Sequence, residues 1–402
     1  MELVTFEEVG RARDALAGVA RVTPVEGSSV LGALAGGPVW LKCENLQRTG
    51  SFKLRGAYVR ISRLSAAEKA RGVVAASAGN HAQGVALAAR LVGVTATVFM
   101  PAGAPLPKIE ATRGYGAEVH LVGGTVDEAL VAADRHAAEH GAVLVHPFDH
   151  PDVIAGQGTV GLEIVDQCPE ARTIVVAVGG GGLISGIAVA AKAARPDLTV
   201  VGVQAEGAAA VPPSLRAGHP VRLDRYATMA DGIAVGSPGA LTFAHIAALV
   251  DEVVTVGEEW LSRALLLCLE RAKLVVEPAG AAAVAALLAE PGRFEPPVVA
   301  VLSGGNIDPL LLDKVIQHGM AAAGRYLSVR VRVRDRPGEL ARLLALLADL
   351  GANVLDVEHR RTAANLVIGE AEVALSVETR GAEHRAALSS ALRAAGYRPF
   401  PG

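Results

Sequence analysis

Residues 173 to 183 read Thr173-Ile174-Val175-Val176-Ala177-Val178-Gly179-Gly180-Gly181-Gly182-Leu183, an apolar run, four glycines and the first residue of a helix-like stretch that reaches Ala194. A strand that runs through glycines into a helix leaves backbone N–H groups unpaired at the positive helix end, with no side chain to keep an anion away. Four ordered glycines cost more backbone entropy than a plain turn requires. The stretch therefore predicts an α/β unit with a phosphate-binding loop, against the plainer alternative of a flexible turn. Nucleotides fit this loop poorly. No Gly-x-x-x-x-Gly-Lys-Ser/Thr segment occurs, and Glu206, after the strand-like run 199 to 204, is the one acidic residue placed to meet a ribose.

Working outward, short apolar runs alternate with alanine-rich helical stretches from about residue 39 to 310. The runs are 73 to 76, 95 to 100, 118 to 122, 142 to 146, 174 to 178, 200 to 204 and 298 to 302. That alternation predicts a mainly parallel sheet, with too many strands for one small sheet and with ligand-binding loops at the strand ends. The composition changes near Gly324, where a net charge of −6 gives way to +3 over residues 325 to 402. In this tail Val329, Val331 and Val333 alternate with arginines, as in a strand with one buried face. Pro337-Gly338 turns the chain into an amphipathic helix over 339 to 350, stopped by Gly351. Strands over 353 to 358 and 366 to 377 and a helix over 382 to 395 complete a β-α-β-β-α order, which suits a small α+β ferredoxin-like domain.

At 402 residues the chain exceeds one ordinary core. With 51% hydrophobic and 20% charged residues and a net charge of −3, it is expected to act on small molecules, with no nucleic-acid partner and no membrane partner. The absence of a long apolar span and of a basic, then apolar, leader predicts a cytoplasmic protein. Cys43, Cys168 and Cys268 are far apart, form no C-x-x-C pair, are too few for a disulfide framework and read as ordinary buried thiols. His146, Asp149 and His150 have a metal-like spacing, but Pro147 and Pro151 make the segment a loop, and no metal is expected there.

Lys53 stands in Ser51-Phe52-Lys53-Leu54-Arg55-Gly56-Ala57, a mostly apolar neighbourhood that favours the neutral amine needed for Schiff-base chemistry with an aldehyde. The alternative is a surface lysine at a helix start. Lysine occurs seven times against thirty-one arginines, so basic surface duty falls mainly to arginine.

Four motifs in order, Ser51-Phe52-Lys53-x-Arg55-Gly56-Ala57, Ser77-Ala78-Gly79-Asn80-His81, the tetraglycine loop and Ser303-Gly304-Gly305-Asn306, resemble the fold type II pyridoxal-phosphate enzymes. Within them the chain is similar to the threonine dehydratases (threonine ammonia-lyases) over nearly its whole length. The tail from about Tyr326, with Asp335-Arg336-Pro337-Gly338-Glu339-Leu340, resembles an ACT regulatory domain. The resemblance implies a two-lobed open-sheet catalytic region over residues 1 to 324, like the β subunit of tryptophan synthase. A small lobe of about residues 50 to 150 is inserted in the larger one, and an ACT domain covers 325 to 402.

It further implies that Lys53 holds pyridoxal 5'-phosphate through its aldehyde and later removes the substrate Cα proton, with Phe52 against the pyridine ring. Gly179, Gly180, Gly181, Gly182 and Leu183 would bind the cofactor phosphate, Asn80 the ring hydroxyl, and Ser303 the ring nitrogen. Ser77, Ala78, Gly79, Asn80 and His81 would receive the substrate carboxylate; on its own, this segment also reads as a strand-to-helix turn with an N-cap serine. Glu277, in Val-Val-Glu-Pro-Ala-Gly, matches a family glutamate near ring and substrate, or else is a helix N-terminal carboxylate. A neutral hydroxyl at the ring nitrogen weakens the electron sink relative to a carboxylate, which favours β-elimination over transamination. The implied reaction converts L-threonine to 2-oxobutanoate and ammonia, and L-serine to pyruvate. Partners would be an amino-acid substrate, a small effector at the ACT domain, and further copies of the chain in a homodimer or homotetramer.

Serine racemases share these motifs but use a serine on the ring face opposite the lysine, where this sequence has Ala78; dehydration without efficient racemisation is therefore expected. The family's divalent-cation site is matched by Glu206 and Ala210, but its third position is Pro212, which has no side-chain oxygen. β-Replacement enzymes of the same fold are a further alternative, and a non-catalytic amino-acid sensor is the alternative of another class. Stacking aromatics are missing from the tail's strands, which argues against an RNA-binding module.

Overall fold

The computed structural model describes residues 2 to 362 and 366 to 401, in two compact units, Met1–Leu312 and Asp313–Gly402. Among the described residues the first unit holds ten strands: β1 Val25–Gly27, β2 Val39–Lys42, β3 Val73–Ala76, β4 Ala96–Met100, β5 Glu118–Leu121, β6 Val143–Leu144, β7 Thr173–Ala177, β8 Thr199–Ala205, β9 Glu252–Val256 and β10 Val298–Val301. They form a six-stranded sheet in the order β1-β2-β10-β7-β8-β9 and a four-stranded sheet in the order β5-β4-β3-β6. All pairings are parallel except β1 with β2. Every residue of β3, β4, β7 and β10 is buried, which explains why they read as continuous apolar runs with no alternation. Strands β1, β2 and β9 are not singled out by apolar runs. β1 has three residues, none of them buried, and β9 alternates exposed Glu252 and Thr255 with buried Val254 and Val256.

The four-stranded sheet is inserted in sequence between β2 and β7, so the unit has two lobes. Glycine pairs bring the helices that carry the site to backbone contact. A Cβ on Gly156 would stand 2.6 Å from Gly56 Cα, and one on Gly186 would collide with Ile154 O and Gly158 N. Helix Pro151–Gln167 is therefore clamped between Lys53–Ser62 and Gly182–Ala194. Since Lys53 begins one outer helix and Gly182 the other, this packing fixes the distance from lysine to glycine loop.

Beneath the first helix lies a buried charge cluster. Arg55 donates from Nε and Nη2 to Glu44 at 2.8 and 2.7 Å and from Nη1 to Glu163 at 2.6 Å, while Lys42 Nζ lies 2.6 Å from Glu163. Arg55, Glu44 and Lys42 are essentially inaccessible. Burial pushes the Glu44 carboxyl up, but the charge and hydrogen bonds of Arg55 outweigh it and leave the pKa lowered. The three cysteines are free and buried, and burial raises their thiols to about 12, 11 and 12 for Cys43, Cys168 and Cys268, so all stay protonated at neutral pH.

The second unit carries β11 Tyr326–Arg334, β12 Asn353–Arg360, β13 Glu370–Glu378 and β14 Phe400–Pro401 in an antiparallel sheet of order β12-β13-β11-β14. Leu327, Val329, Val331 and Val333 are buried with Ala371, Val373, Leu375 and Val377, and with Leu343, Leu347, Leu388 and Leu392 from helices Glu339–Asp349 and Ala382–Ala394. Alternation in the sheet and leucine spacing in the helices thus meet in one α+β core, as the tail's pattern predicts. Strand β13 starts at Glu370, four residues later than the apolar run. Gly369 has φ of +91°, and Glu370 N–H bonds Val367 O at 3.0 Å, so the chain turns before it pairs. Among the described residues no helix is long and apolar enough to cross a membrane.

Candidate active site

Loops at the C-terminal ends of β3, β7 and β10 line a cavity of about 360 Å³ in the first unit, together with Lys53 and Glu277. All the site residues expected from the sequence line it: Phe52, Lys53, Ser77, Ala78, Gly79, Asn80, His81, Gly179, Gly180, Gly181, Gly182, Leu183, Glu277 and Ser303. They come from segments more than 200 residues apart, and the parallel sheets bring them together.

Lys53 is the first residue of its helix. Its Nζ donates to Pro147 O at 2.9 Å and lies 5.1 Å from the centre of the Phe52 ring. Burial lowers the ammonium to about 8, opposed by the charge of Glu277, so an appreciable fraction is neutral amine near neutral pH. The segment leading to the lysine is tied to the Ser303 loop by the Ser51–Gly304 bridge and by Phe52 N–H to Ser303 O at 3.2 Å.

Gly181 caps the helix Gly182–Ala194 with φ of +98°, and the carbonyls of Gly180 and Gly181 accept from protein donors. Thr242 Oγ1 donates to Gly180 O at 2.6 Å, and Ser185 N–H to Gly181 O at 3.0 Å. The first N–H groups of a helix have no acceptor within it, so the loop presents donors to the cavity. A Cβ on Gly180 would run into the Phe148 ring, and one on Gly181 would meet Ile246 Cδ1 at 2.8 Å. The loop is glycine because there is no room for anything larger. A donor-rich cradle of this kind and a buried amine fit the phosphate and aldehyde ends of pyridoxal phosphate.

The turn after β3 is closed by Gly79 N–H donating to Ser77 Oγ at 3.1 Å. Asn80 begins the next helix; its Nδ2 donates to Glu277 Oε1 at 2.5 Å, and its Oδ1 accepts from Asn306 Nδ2 at 2.8 Å. Asn306 Nδ2 also donates to Thr49 O at 2.6 Å, so Asn80 is held by both flanks and keeps one amide hydrogen for a ligand. Glu277 is buried; burial first, and Asp231 next, raise its pKa to about 7. Gly304 lies against it so closely that a Cβ would overlap Glu277 Oε1. His81 is buried with Nε2 2.7 Å from Val145 O, and burial with the nearby Lys53 charge lowers it to about 3, so the ring is neutral.

The His146-Pro-Phe-Asp-His150 run does structural work. His146 Nδ1 accepts from Asp149 N–H at 2.7 Å, Asp149 caps the helix Ala240–Leu249 by accepting from three successive amides, and His150 caps Pro151–Gln167. No group of metal-ligating side chains occurs among the described residues. Among the cavity residues outside the sequence motifs, two form an ion pair across the cavity wall. Lys108 Nζ and Asp231 Oδ2 are 2.7 Å apart, one from each lobe. The scarcity of lysine that draws attention to Lys53 applies equally to Lys108; nothing in the sequence points to Asp231.

Comparison with known proteins agrees with this geometry. The profile of the family described as pyridoxal-phosphate dependent enzyme matches residues 16–304, and that of the ACT domain matches residues 327–396. The chain is 49% identical over 395 residues to the L-threonine ammonia-lyase of Thermotoga maritima, covering 98% of each. Among solved structures it resembles the processed form of threonine deaminase isoform 2 from Solanum lycopersicum, with TM-score 0.74 and 39% identity over 78% of this chain and 89% of that one. It also resembles maize serine racemase, with TM-score 0.75 and 36% identity over 78% and 97%. The chain therefore belongs to the pyridoxal-phosphate dependent enzymes, and it carries an ACT domain at its C-terminal end.

Proposed function

We propose that the protein converts L-threonine to 2-oxobutanoate and ammonia, and L-serine to pyruvate and ammonia. The observation that carries this reading is the convergence in one cavity of Lys53, the glycine cradle, Asn80 and the neutral Ser303. The likeness to the Thermotoga L-threonine ammonia-lyase supports it. Pyridoxal phosphate, when bound, supplies the electron-withdrawing ring that acidifies the Cα hydrogen of the attached amino acid. Gly179, Gly180, Gly181, Gly182 and Leu183 would hold its phosphate, Phe52 would flank its ring, and Asn80 would meet its hydroxyl.

Lys53, its amine brought down to about 8, takes the Cα proton. Ser303 would offer the ring nitrogen a hydroxyl without a full charge, which would favour prompt loss of the β-hydroxyl, as water, over prolonged charge on Cα. The turn from Ser77 to His81 receives the carboxylate, and Glu277 orients Asn80. The released enamine takes up a proton at Cβ, and water then displaces ammonia. Ala78 has no proton to return to the other face of Cα, so elimination proceeds without efficient racemisation.

The ACT unit, with its own core, binds an amino acid or another small effector, and pairing of such units makes the enzyme a dimer or tetramer. The test is 2-oxoacid release from L-threonine and L-serine by the cofactor-loaded protein, with and without isoleucine, valine or AMP. Lys53→Ala should remove both activity and the visible band of lysine-bound cofactor. Oxoacid release by Lys53→Ala at the parent rate, or rapid D-serine formation by the parent, would contradict this reading.

A further inference from the structure

Lys108 rises from the helix Leu106–Gly114 of the four-stranded lobe, and Asp231 opens the short turn Asp231–Ile233 of the six-stranded lobe. Their 2.7 Å ion pair stands in the cavity wall and joins the lobes. A Cβ on Gly79 would lie 3.7 Å from Lys108 Nζ, so the ammonium overlooks the turn from Ser77 to His81. On the other side, a Cβ on Gly232 would lie 3.7 Å from Glu277 Oε1, which places the Asp231 turn against the buried glutamate.

The two partners differ in what they need. The Lys108 side chain is 9% exposed and that of Asp231 54%. An ammonium out of water requires an anion beside it, whereas a half-exposed carboxylate returns to water at little cost. A second carboxylate arriving at the turn can therefore take Lys108 from Asp231.

We propose that Lys108 is a substrate-binding residue that exchanges Asp231 for the α-carboxylate of the amino-acid substrate. This rests on the reading that the turn from Ser77 to His81 receives that carboxylate. The turn contributes N–H dipoles and Lys108 contributes a full charge, so the site takes free α-amino acids and discriminates against their amides and esters. In the empty enzyme Asp231 keeps the ammonium compensated.

The holoenzyme is tested in two arms. Steady-state kinetics with L-threonine give KM and kcat, and titration with L-alanine, which has no β-hydroxyl to lose, gives Kd from the cofactor absorption without turnover. Lys108→Met should raise both KM and Kd at least about tenfold while kcat changes less, and Lys108→Arg should recover most of the loss. Asp231→Asn should leave both constants unchanged or lower, because it removes the competing carboxylate.

Lys108→Met with KM and Kd within about twofold of the parent overturns the proposal, whatever happens to kcat. So does a tenfold weakening in Asp231→Asn, the result expected of a plain clasp between lobes. If Lys108→Met fails to retain cofactor, the Asp231→Asn result decides alone. A parent that binds alanine but releases no oxoacid from threonine refutes the proposed reaction and leaves the alanine arm to judge Lys108.

Discussion

Replacing Arg55 with methionine should destabilise the catalytic unit severely, and the structure says by how much. Arg55 is 1% exposed and Glu44 0%, and between them run two hydrogen bonds of 2.7 and 2.8 Å. Arg55 also meets both oxygens of Glu163, at 2.6 and 3.1 Å, together with Thr159 Oγ1 and Arg21 O. Methionine fills much of the volume but removes the charge. Lys42 remains within 2.6 Å of Glu163, so that carboxylate keeps a cation; Glu44 keeps only the Thr23 hydroxyl at 2.6 Å.

One uncompensated buried carboxylate places the loss at about 3 to 5 kcal/mol. At about 2 °C per kcal/mol for a unit of this size, the melting midpoint should fall by about 6 to 10 °C. The pH dependence adds a second check. In the parent the Glu44 pKa is lowered, so its stabilisation is present above the unfolded value and is lost as pH falls through the folded one. In the variant burial, the largest influence, is opposed only by the Thr23 hydroxyl and the Lys42 charge and should raise it, so the penalty is full above the new folded pKa and vanishes below the unfolded one. The deficit should therefore shrink as pH is lowered from 8 towards 5. Calorimetric melting of the two proteins across that range is the assay. A midpoint within about 2 °C of the parent at pH 8, or a deficit that grows on acidification, would refute the reasoning.

Two further changes act inside the cavity. Gly180→Ala sets a methyl against the Phe148 ring and should weaken cofactor binding at least about tenfold at a cost of about 1 to 3 kcal/mol; cofactor titration by absorbance measures it, and unchanged affinity would show that the cradle has slack. Glu277 has a pKa raised to about 7, so kcat/KM should fall as pH drops through about 7 and its carboxylate is protonated. Glu277→Gln should flatten that acidic limb and lower kcat by about 10- to 100-fold, and an acidic limb preserved in the variant would assign it to another group.

The legibility of the chain follows the range of the interactions involved. Apolar runs such as 174 to 178 and 298 to 302 show as strands because both faces of β7 and β10 are buried. β1 and β9 are hidden, since short or half-exposed strands take their structure from neighbours already paired. The tail is legible because its alternation and leucine spacing each describe one face of one core. His146, Asp149 and His150 have a metal-like spacing that the flanking prolines discount in sequence, but their capping roles are decided by partners elsewhere in the fold, since capping and metal binding use the same residue types.

By itself the sequence determined the α/β class, the ACT-like tail and the residue types at the site. Four glycines, a lysine in apolar company and a serine-glycine-glycine-asparagine turn each carry a local chemical requirement. Tertiary structure alone decided the electrostatics. Lys53 near 8 and Glu277 near 7 owe those values first to burial under segments distant in the chain, modified by each other's charge. The Lys108–Asp231 pair, separated by 123 residues, exists only because two lobes close around one cavity. A phosphate loop can be written in consecutive residues, since backbone amides and missing side chains make it. The charge state of a side chain depends on everything that removes water from it, and that is a property of the folded whole.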